Sequence, residues 1–207
     1  MFLTVDDVRA AIAVPAADLR SDFDLNPDVR AVELGVHKQR RAAVLCGLRP
    51  VDGHLHVVLT HRAQHLKQHA GQVAFPGGKI DAEDRDATDA ALREAEEEVG
   101  LPRTDVEVIG TLDDYLTSTG YRVTPVIGLV PGAWQPLPDP NEVDRVFEPP
   151  LSFLMNPANH ERHHREWQGR RRYFYAMPWE GHYIWGATAG MLKHLSDRIA
   201  ATRAGAA

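Results

Sequence analysis

The stretch that decides the fold is Gly77–Leu101, with the sequence GGKIDAEDRDATDAALREAEEEVGL. It contains nine carboxylates against three basic residues, which gives the segment a formal charge of −6. The whole chain of 207 residues also has a net charge of −6, so the remaining residues are neutral in sum. The acidity is therefore concentrated in one segment, which indicates a local function and not a general property of the surface.

The second half of this stretch predicts a helix from Thr88 to Val99. The segment lacks glycine and proline and is rich in Ala, Leu, Glu and Arg, which favour helix. Gly100 supplies a C-terminal stop, and Pro102 follows closely. Because successive residues turn by about 100°, one face of the helix is apolar and is expected to pack on a sheet; it consists of Ala91, Leu92, Ala95 and Val99.

Three carboxylates share another face of the predicted helix. Glu94, Glu97 and Glu98 have i, i+3 and i+4 spacing, at which like charges repel. Glutamates late in a helix also oppose its dipole, and the single guanidinium of Arg93 offsets only part of this cost. The face is either an ordinary solvated surface or a site for a divalent cation. Clustered carboxylates suit Mg²⁺, Mn²⁺ or Ca²⁺, and Mg²⁺ is commonly shared with substrate phosphates, which points to phosphate ester or anhydride chemistry.

The composition narrows the class of protein. A hydrophobic content of 43% and a charged content of 25% are ordinary for a globular protein. We expect no membrane partner, because no apolar run approaches the roughly 18 residues that a membrane helix needs, and no nucleic-acid partner, because there is no long basic face. The N-terminus does not resemble a signal peptide, and the single cysteine, Cys46, lies in the apolar run RAAVLCGL. These features predict a buried strand thiol and a cytoplasmic protein.

Strand and helix signals alternate along the chain, which predicts a mixed-sheet α/β or α+β domain. Further helices are predicted at Thr4–Ala13, with Thr4 as N-cap, in PPLSFLMNP, and in the amphipathic YIWGATAGMLKHLSDRIAATRA that begins at Tyr183. Strands are predicted in RAAVLCGL, LHVVLTHR, QVAFP, DVEVIGTL and YRVTPVIGLV, and a hairpin in REWQGRRRYFYAM turns at Gly169. PGAWQPLPDPNEV is interpreted as a loop and DPNEVDRVFE as a mobile segment.

The acidic stretch resembles the box of the Nudix hydrolases. That pattern is glycine, five residues, glutamate, seven residues, and then Arg-Glu-hydrophobic-any-Glu-Glu-any-Gly-hydrophobic. The matching positions are Gly78, Arg93, Glu94, Ala95, Glu97, Glu98, Gly100 and Leu101. Asp84 stands where the first glutamate belongs, and eight residues separate it from Arg93, which leaves its role open. The resemblance implies a Nudix-type α/β/α sandwich with a mixed β-sheet that hydrolyses a nucleoside diphosphate linked to another group.

A second motif lies immediately upstream of this box. LTHRAQHLKQHAGQVAFPGG, from Leu59 to Gly78, resembles the signature of the coenzyme A diphosphatase branch of these enzymes. The branch implies hydrolysis of coenzyme A to 4′-phosphopantetheine and adenosine 3′,5′-bisphosphate. Two alternatives remain open: a Nudix hydrolase of another nucleoside diphosphate, such as ADP-ribose or a dinucleoside polyphosphate, and a catalytically silent module that binds a nucleotide.

The resemblance implies roles for the acidic helix. Glu94, Glu97 and Glu98 would hold Mg²⁺ or Mn²⁺, and Arg93 would orient the carboxylates through a charge-assisted hydrogen bond. Glu97 or Glu98 would deprotonate the attacking water. Glu142, in the predicted mobile segment, is an alternative base, although an ordinary loop role is favoured for it.

For the substrate, the upstream motif suggests Arg62 and Lys67 as phosphate ligands, with Arg40 and Arg41 as weaker candidates. Gly77 and Gly78 would let the backbone approach the substrate closely. Arg170–Arg172 is interpreted as a solvated turn.

The histidines His61, His65 and His69 are spaced by four and invite comparison with a zinc site. The segment begins in a strand and ends before a glycine, so we do not assign zinc to it. His69 matches the signature histidine and is expected to contact substrate or fix the loop, while His61 and His65 are interpreted as incidental.

We divide the chain into an N-terminal helix and connector at residues 1–36 and a Nudix hydrolase domain at residues 37–207, together forming one globular unit. The partner expected for this unit is a small molecule. A homodimer contact through the N-terminal residues is a further hypothesis.

Overall fold

The computed structural model describes residues 2–14, 19–27, 39–167 and 169–205. The α-helices in these ranges are α1 (Val5–Ala13), α2 (Ala87–Val99), α3 (Leu151–Leu154) and α4 (Gly186–Gly205). The strands are β1 (Arg20–Ser21), β2 (Arg40–Val51), β3 (His54–Val57), β4 (Leu59–Arg62), β5 (Val73–Ala74), β6 (Gly77–Lys79), β7 (Glu107–Thr111), β8 (Tyr115–Leu116), β9 (Tyr121–Leu129), β10 (Val143–Phe147), β11 (Glu161–Trp167), β12 (Arg170–Trp179) and β13 (His182–Trp185). None of the described helices is both long and apolar enough to cross a membrane.

The largest sheet is mixed, as the sequence predicts. Strands β2 and β9 lie parallel at its centre, in register from Arg40 opposite Tyr121 to Leu48 opposite Leu129. The sheet runs β1-β8-β9-β2-β3, with β6 also on β2 and β7 also on β9. Cys46 lies buried in β2, and burial raises the pKa of its thiol to about 12, which confirms the prediction of a buried strand thiol.

Helix α2 covers one face of this sheet. Its buried residues Ala90, Ala91, Ala95 and Val99 pack with Ala43, Leu45 and Val126 of the sheet. Asp86 caps the helix by accepting the Asp89 N–H, so the helix begins one residue earlier than predicted. Gly100 ends it in the left-handed conformation with φ 64°, as predicted.

The predicted strand LHVVLTHR is wrong as a single element. It divides into β3 and β4, which belong to different sheets. At the division, the Val58 N–H donates to the Gly47 carbonyl at 2.9 Å, and the chain leaves the first sheet. Strand β4 then pairs with β10 and β5 in a second, antiparallel sheet. The prediction of a mobile segment in DPNEVDRVFE is wrong for β10. The strand forms by pairing with β4, which is distant in the sequence, and no local sequence pattern indicates this pairing.

The C-terminal part forms a third sheet in the order β11-β12-β13. The hairpin turn at Gly169, with φ 74°, is confirmed. The predicted start of the last helix at Tyr183 is wrong, because residues up to Trp185 pair with β12 and α4 begins at Gly186. The short helix α3 is confirmed between its flanking prolines.

The N-terminal residues share the core of the rest of the chain. Thr4 caps α1 in a capping box with Asp7, as predicted, and Asp7 also accepts a hydrogen bond from Arg203 of α4 at 2.9 Å. Leu3, Val8 and Ala11 are buried in the same apolar cluster as residues of α4. The domain boundary after residue 36 lies in a range, 28–38, outside the described residues, and both the boundary and the homodimer stay predictions.

Candidate active site

A cavity of about 890 Å³ lies beside the N-terminal ends of β2 and β9 and the acidic face of α2. Glu94 and Glu98 of α2, the glycines of β6 and the loop after β4 line one part of it. Other parts are lined by residues of the segments 21–26 and 117–119, of the third sheet and of the first turns of α4. The cavity therefore joins the two sequence motifs to parts of the chain that neither motif includes.

Glu98 is the most buried carboxylate of the acidic helix, with 2% of its surface exposed. The Gly77 N–H donates to its Oε2 at 3.1 Å, and Arg62 Nη1 lies 3.5 Å from its Oε1. Burial raises the pKa of Glu98 to about 8, and the bond from Gly77 and the charge of Arg62 oppose this rise. An additional cation close to Glu98 would therefore stabilise its charged form.

Glu94 lies directly against the Gly-Gly turn. A Cβ on Gly78 would sit 2.4 Å from Glu94 Oε1, so only glycine leaves room for this carboxylate. Burial raises the pKa of Glu94, while a hydrogen bond from Arg93 lowers it. Gly77 is required for another reason: its φ is 154°, and a Cβ there would meet the Ala43 carbonyl oxygen at 2.5 Å. The glycine pair thus brings β6 close to both α2 and β2.

Arg93 organises the carboxylates at the edge of the site. Its Nε and Nη2 each donate to Asp84 at 2.9 Å, and its Nη1 donates to Glu94 at 2.9 Å and to Glu97 at 3.2 Å. The hydrogen bonds from Arg93 lower the pKa of Asp84 to about 2. Asp84 therefore acts on the site by holding Arg93 in place.

The remaining predicted residues divide between the cavity wall and the outer surface. Arg62 and His69 line the cavity together with the two glycines. Lys67 is exposed and lies outside the cavity lining, although its neighbours Gln68 and His69 belong to that lining. Glu97 also lies outside the lining, with 57% of its side chain exposed. Its role as a metal ligand stays a prediction.

Glu142 is a fourth carboxylate of the site. Its backbone is held at both ends, since its N–H donates to the Asp139 carbonyl at 3.0 Å and its carbonyl accepts from the Ala63 N–H at 2.8 Å. Its side chain lines the cavity, and its charge contributes to raising the pKa of both Glu94 and Glu98. The sequence favours an ordinary loop role for Glu142. The structure instead places its side chain in the same cavity as Glu94 and Glu98, because the loop that carries it is hydrogen-bonded to Ala63, directly after β4.

The donor chemistry of this group fits a hard divalent cation. Among the described residues, no three His, Cys, Asp or Glu side chains are arranged closely enough to hold a metal ion as they stand. Glu94, Glu98 and Glu142 nevertheless line one cavity, repel one another and present carboxylate oxygens. Such oxygens are the ligands that Mg²⁺ and Mn²⁺ take in proteins.

The three spaced histidines contact separate partners. His65 Nε2 lies 3.1 Å from the Asn141 carbonyl, and His69 Nδ1 lies 2.9 Å from the Gln72 side-chain carbonyl. His61 Nε2 lies 2.7 Å from His182 Nδ1, so one imidazole donates to the other. This bond joins β4 to β13, and His61 lies outside the cavity lining, so its interpretation as incidental to the site stays a prediction.

Seven described residues of the cavity wall come from the third sheet, and the sequence analysis assigns none of them to the site. They are Arg165, Trp167, Arg172, Tyr173, Phe174, Tyr175 and Trp185. The interpretation of Arg170–Arg172 as a solvated turn is wrong for Arg172, which lines the cavity and is only partly exposed. Of the weaker candidates, Arg40 lines the cavity with its guanidinium 4.0 Å from the centre of the Tyr121 ring, and Arg41 does not line it.

Comparison with known proteins agrees with this architecture. The family model of the NUDIX domain matches residues 38–178. "Nudix hydrolase 15, mitochondrial" of Arabidopsis thaliana is 41% identical over 162 residues, which are 75% of this chain and 57% of that protein. "Uncharacterized Nudix hydrolase NudL" of Yersinia pestis is 41% identical over 162 residues, which are 77% of this chain and 80% of that protein. The matched part thus spans little more than half of the plant relative.

Solved structures give a weaker likeness. The Nudix hydrolase RenU of M. smegmatis is 27% identical with a TM-score of 0.47 and covers 55% of this chain and 72% of its own. A MutT/nudix family protein of Enterococcus faecalis is 14% identical with a TM-score of 0.48 and covers 97% of this chain and 76% of its own. Both TM-scores are below 0.5, so the family assignment depends on the sequence matches.

Proposed function

The chain belongs to the Nudix hydrolases, and from this membership we propose that it hydrolyses the diphosphate of coenzyme A or its derivatives with the help of Mg²⁺ or Mn²⁺. The products would be 4′-phosphopantetheine and adenosine 3′,5′-bisphosphate. The observation that carries the proposal is that Glu94, Glu98 and Glu142 line one cavity with the Gly-Gly turn and Arg62.

The predicted metal ligands are Glu94, Glu97 and Glu98, and the position of Glu142 makes it a further candidate. A bound Mg²⁺ or Mn²⁺ ion would neutralise charge on the non-bridging oxygens of the diphosphate. The chain's own contribution is to hold its carboxylates in place. The Gly77 N–H and Arg62 fix the two oxygens of Glu98, while Arg93, itself held by Asp84, fixes Glu94.

We propose Glu142 as the general base. Glu98 is engaged by Gly77 and Arg62, and Glu97 is exposed and bonded to Arg93, so neither is as well placed to take a proton. Glu142 lines the cavity from a separate segment whose backbone is anchored at Asp139 and Ala63. Its carboxylate would accept a proton from the attacking water, and the phosphate of the other half would leave with the electrons of the broken P–O bond.

The choice of coenzyme A depends on the motif from Leu59 to Gly78. Arg62 and His69 of this motif line the cavity, which supports a role in binding the substrate. The backbone at His69 is in the left-handed region with φ 57°, which is uncommon for a residue other than glycine and holds the loop in a compact turn. The loop therefore presents its polar side chains to the same cavity as α2.

The proposal is tested by comparing the rates at which the purified protein hydrolyses coenzyme A, ADP-ribose and NADH with Mn²⁺. Coenzyme A should be the best substrate, and a tenfold faster hydrolysis of ADP-ribose would overturn the assignment. Glu98→Gln and Glu142→Gln should each lower kcat by about 10²-fold or more. Glu96→Gln is the matched control, since Glu96 lies on the same helix, outside the cavity, and bonds to Arg103. Equal activity in all three variants would refute the roles of Glu98 and Glu142. A wild-type protein that hydrolyses none of the three substrates would instead support a silent nucleotide-binding module.

A further inference from the structure

Two imidazole rings connect β4 to the third sheet. His61 of β4 and His182 of β13 form the hydrogen bond described above, with 2.7 Å between His61 Nε2 and His182 Nδ1. Neither ring belongs to the cavity lining, but each is close in sequence to a residue that does. Arg62 follows His61 directly, and β13 ends at Trp185. The bond therefore connects elements that form two different walls of the cavity.

The second nitrogen of His61 determines the direction of this bond. His61 Nδ1 lies 3.4 Å from the Gly71 carbonyl oxygen, which can only accept a hydrogen bond. In the neutral ring Nδ1 therefore carries the proton, and Nε2 is the acceptor for the N–H of His182 Nδ1. The Gly71 N–H donates in turn to the Arg62 carbonyl at 3.0 Å. A hydrogen-bond chain thus leads from His182 through His61 and Gly71 to Arg62.

Aromatic stacking holds the first ring of this chain. The centroid of the His182 ring lies 3.8 Å from that of Phe147 in β10, with an angle of 12° between the ring planes. Trp179, directly opposite His182 in the strand register, also stacks on it at 5.6 Å. The bonding nitrogen of His182 is therefore fixed relative to β4, which reduces the entropic cost of the bond to His61.

The loop 63–72, between β4 and β5, receives this hydrogen-bond chain. Its first arm is held by the Ala63 N–H, which donates to the Glu142 carbonyl at 2.8 Å. Its second arm is held at Gly71, which has φ 66° and accepts the bond from His61. The cavity-lining residues of β4 and this loop are Arg62, Gln68, His69 and Gln72.

We propose that His182 is a positioning residue for the substrate, because through His61 and Gly71 it holds the loop 63–72 in the conformation that binds coenzyme A. This inference rests on the proposed function, since that function assigns substrate contacts to Arg62 and His69 of the same segment. It also gives His61 a role, although the sequence interprets this residue as incidental.

The state of the chain depends on how many protons the two rings carry. One additional proton can bind His182 Nε2, which leaves the bond between the rings intact. A second would have to bind His61 Nε2, which then no longer accepts, and the two cationic rings would repel each other. Burial lowers the pKa of both imidazoles, and the charge of Arg145, opposite His61 in β10, lowers both further. Asp144 opposes this effect at His61, and Glu180 opposes it at His182. The loop is therefore released only when acid protonates both rings.

Two substitutions separate the hydrogen bond from the packing of the ring. His182→Phe keeps an aromatic ring but has no N–H, and it should lower kcat/KM for coenzyme A by about 3- to 10-fold, mainly through KM, because a bond that holds the binding loop is lost. His182→Asn lacks the ring but places an amide N–H near the position of Nδ1, and it should stay within about twofold of the wild type. Tyr183→Phe is the matched control, since it removes a hydrogen bond to His163 from the same strand. Normal kinetics in His182→Phe, or a loss confined to His182→Asn, would overturn the inference.

The pH dependence of KM tests the proton argument. Between about pH 7.5 and about pH 5, where imidazoles titrate, KM of the wild type should rise by about threefold more than KM of His182→Asn. The reason is that an asparagine amide can donate to neutral His61 and can also accept from protonated His61. An equal rise in the two proteins would contradict the release of the loop by acid.

Amide hydrogen exchange separates this inference from the proposed activity, because it requires neither metal nor substrate. The N–H groups of Gly71 and Gln72 are both hydrogen-bonded in the loop. Near neutral pH, His182→Phe should accelerate their exchange by about 3- to 10-fold, whereas His182→Asn and Tyr183→Phe should not. Unchanged exchange in His182→Phe overturns the inference even if coenzyme A is hydrolysed. Faster exchange in a protein that does not hydrolyse coenzyme A instead refutes the proposed function and supports the hold of His182 on the loop.

Discussion

Replacing Gly78 with alanine should remove most of the activity and leave the fold intact. The new Cβ would lie 2.4 Å from Glu94 Oε1, 2.5 Å from its Cδ and 2.8 Å from its Oε2. Because the optimal van der Waals separation of two such atoms begins near about 3.5 Å, the Glu94 carboxylate must move away by about 1 Å. The carboxylate is the end of a flexible side chain, so it can move without displacing the backbone. A misplacement of about 1 Å in a catalytic group costs about 10²-fold in rate, and we expect kcat to fall by that amount.

The neighbouring Gly77→Ala variant is the matched control, with the opposite outcome for stability. Its Cβ would meet the Ala43 carbonyl oxygen at 2.5 Å and Val44 Cα at 2.6 Å, and the residue has φ 154°. These atoms belong to the backbone of the central strand β2, which cannot shift to relieve the contact. The free energy of unfolding should therefore fall by about 2–4 kcal/mol.

Both variants are measured by kcat on coenzyme A with Mn²⁺ and by urea unfolding. Gly78→Ala should remain within about 1 kcal/mol of the wild type in unfolding free energy. Retention of more than half of the wild-type kcat by Gly78→Ala would refute the placement of Glu94 in the catalytic site. A loss of stability as large as that of Gly77→Ala would refute the argument that only a side chain has to move.

Three further predictions concern the charges around the site and in the core. Arg93→Lys keeps the charge but loses the bidentate hydrogen bond to Asp84, so kcat should fall by about 10- to 100-fold. Arg85→Lys is the control, since Arg85 is exposed and lies outside the cavity lining, and its kcat should equal that of the wild type. Equal kcat values in the two variants would contradict the role of Arg93 in orienting the carboxylates. His194 is buried, and burial together with the charge of Arg20 lowers its pKa to about 4. The unfolded chain takes up this proton near pH 6.5, so the folded state loses about 2–3 kcal/mol of stability as the pH falls from 7.5 to 4.5. Urea unfolding at both pH values should show a smaller loss in His194→Gln, and an unchanged loss would exclude His194 as the cause. EDTA should abolish turnover, and excess Mn²⁺ should restore it. A hydrolysis rate that is unchanged in EDTA would contradict the proposed metal dependence.

The acidic helix could be predicted from the sequence because its determinants are local. Its composition, its stop at Gly100 and the spacing of its glutamates all lie within Gly77–Leu101, and the structure confirms the helix to within one residue. Spacing also placed Glu94 and Glu98 together. It could not separate the exposed Glu97 from them, because the wall of the cavity is set by β6 and by the loop at Glu142 and not by the helix alone.

The parts that sequence reasoning missed depend on contacts between distant segments. Strand β10 pairs with β4, and Glu142 reaches the cavity because the loop before β10 bonds to Ala63. Arg172 reaches the cavity through the fold of the third sheet. One signal was available: in the predicted hairpin, Arg165 and Trp167 alternate along one strand and would share a face, with Arg172 opposite. An alternation of this kind predicts that these residues lie on the same face of the sheet. It is a stronger indication than the run of three arginines, which by itself suggests only a solvated turn.

The cavity also depends on residues before the region that defines the family. Both groups of the Asn26 side-chain amide bond to the backbone of Tyr173 in β12, at 2.9 and 2.8 Å. Asp22 accepts hydrogen bonds from the Ser118 N–H at 2.7 Å and from the Tyr115 hydroxyl at 3.0 Å. This segment therefore fixes the strand that carries Arg172, while the family match begins only at residue 38. Most of the residues proposed for the reaction thus lie between Leu59 and Leu101, and Glu142 is the exception among those that line the cavity. Much of the rest of the cavity wall comes from the N-terminal segment and the third sheet, which lie far from this region in the sequence. The sequence therefore predicts the reaction class more readily than the residues that would contact the substrate.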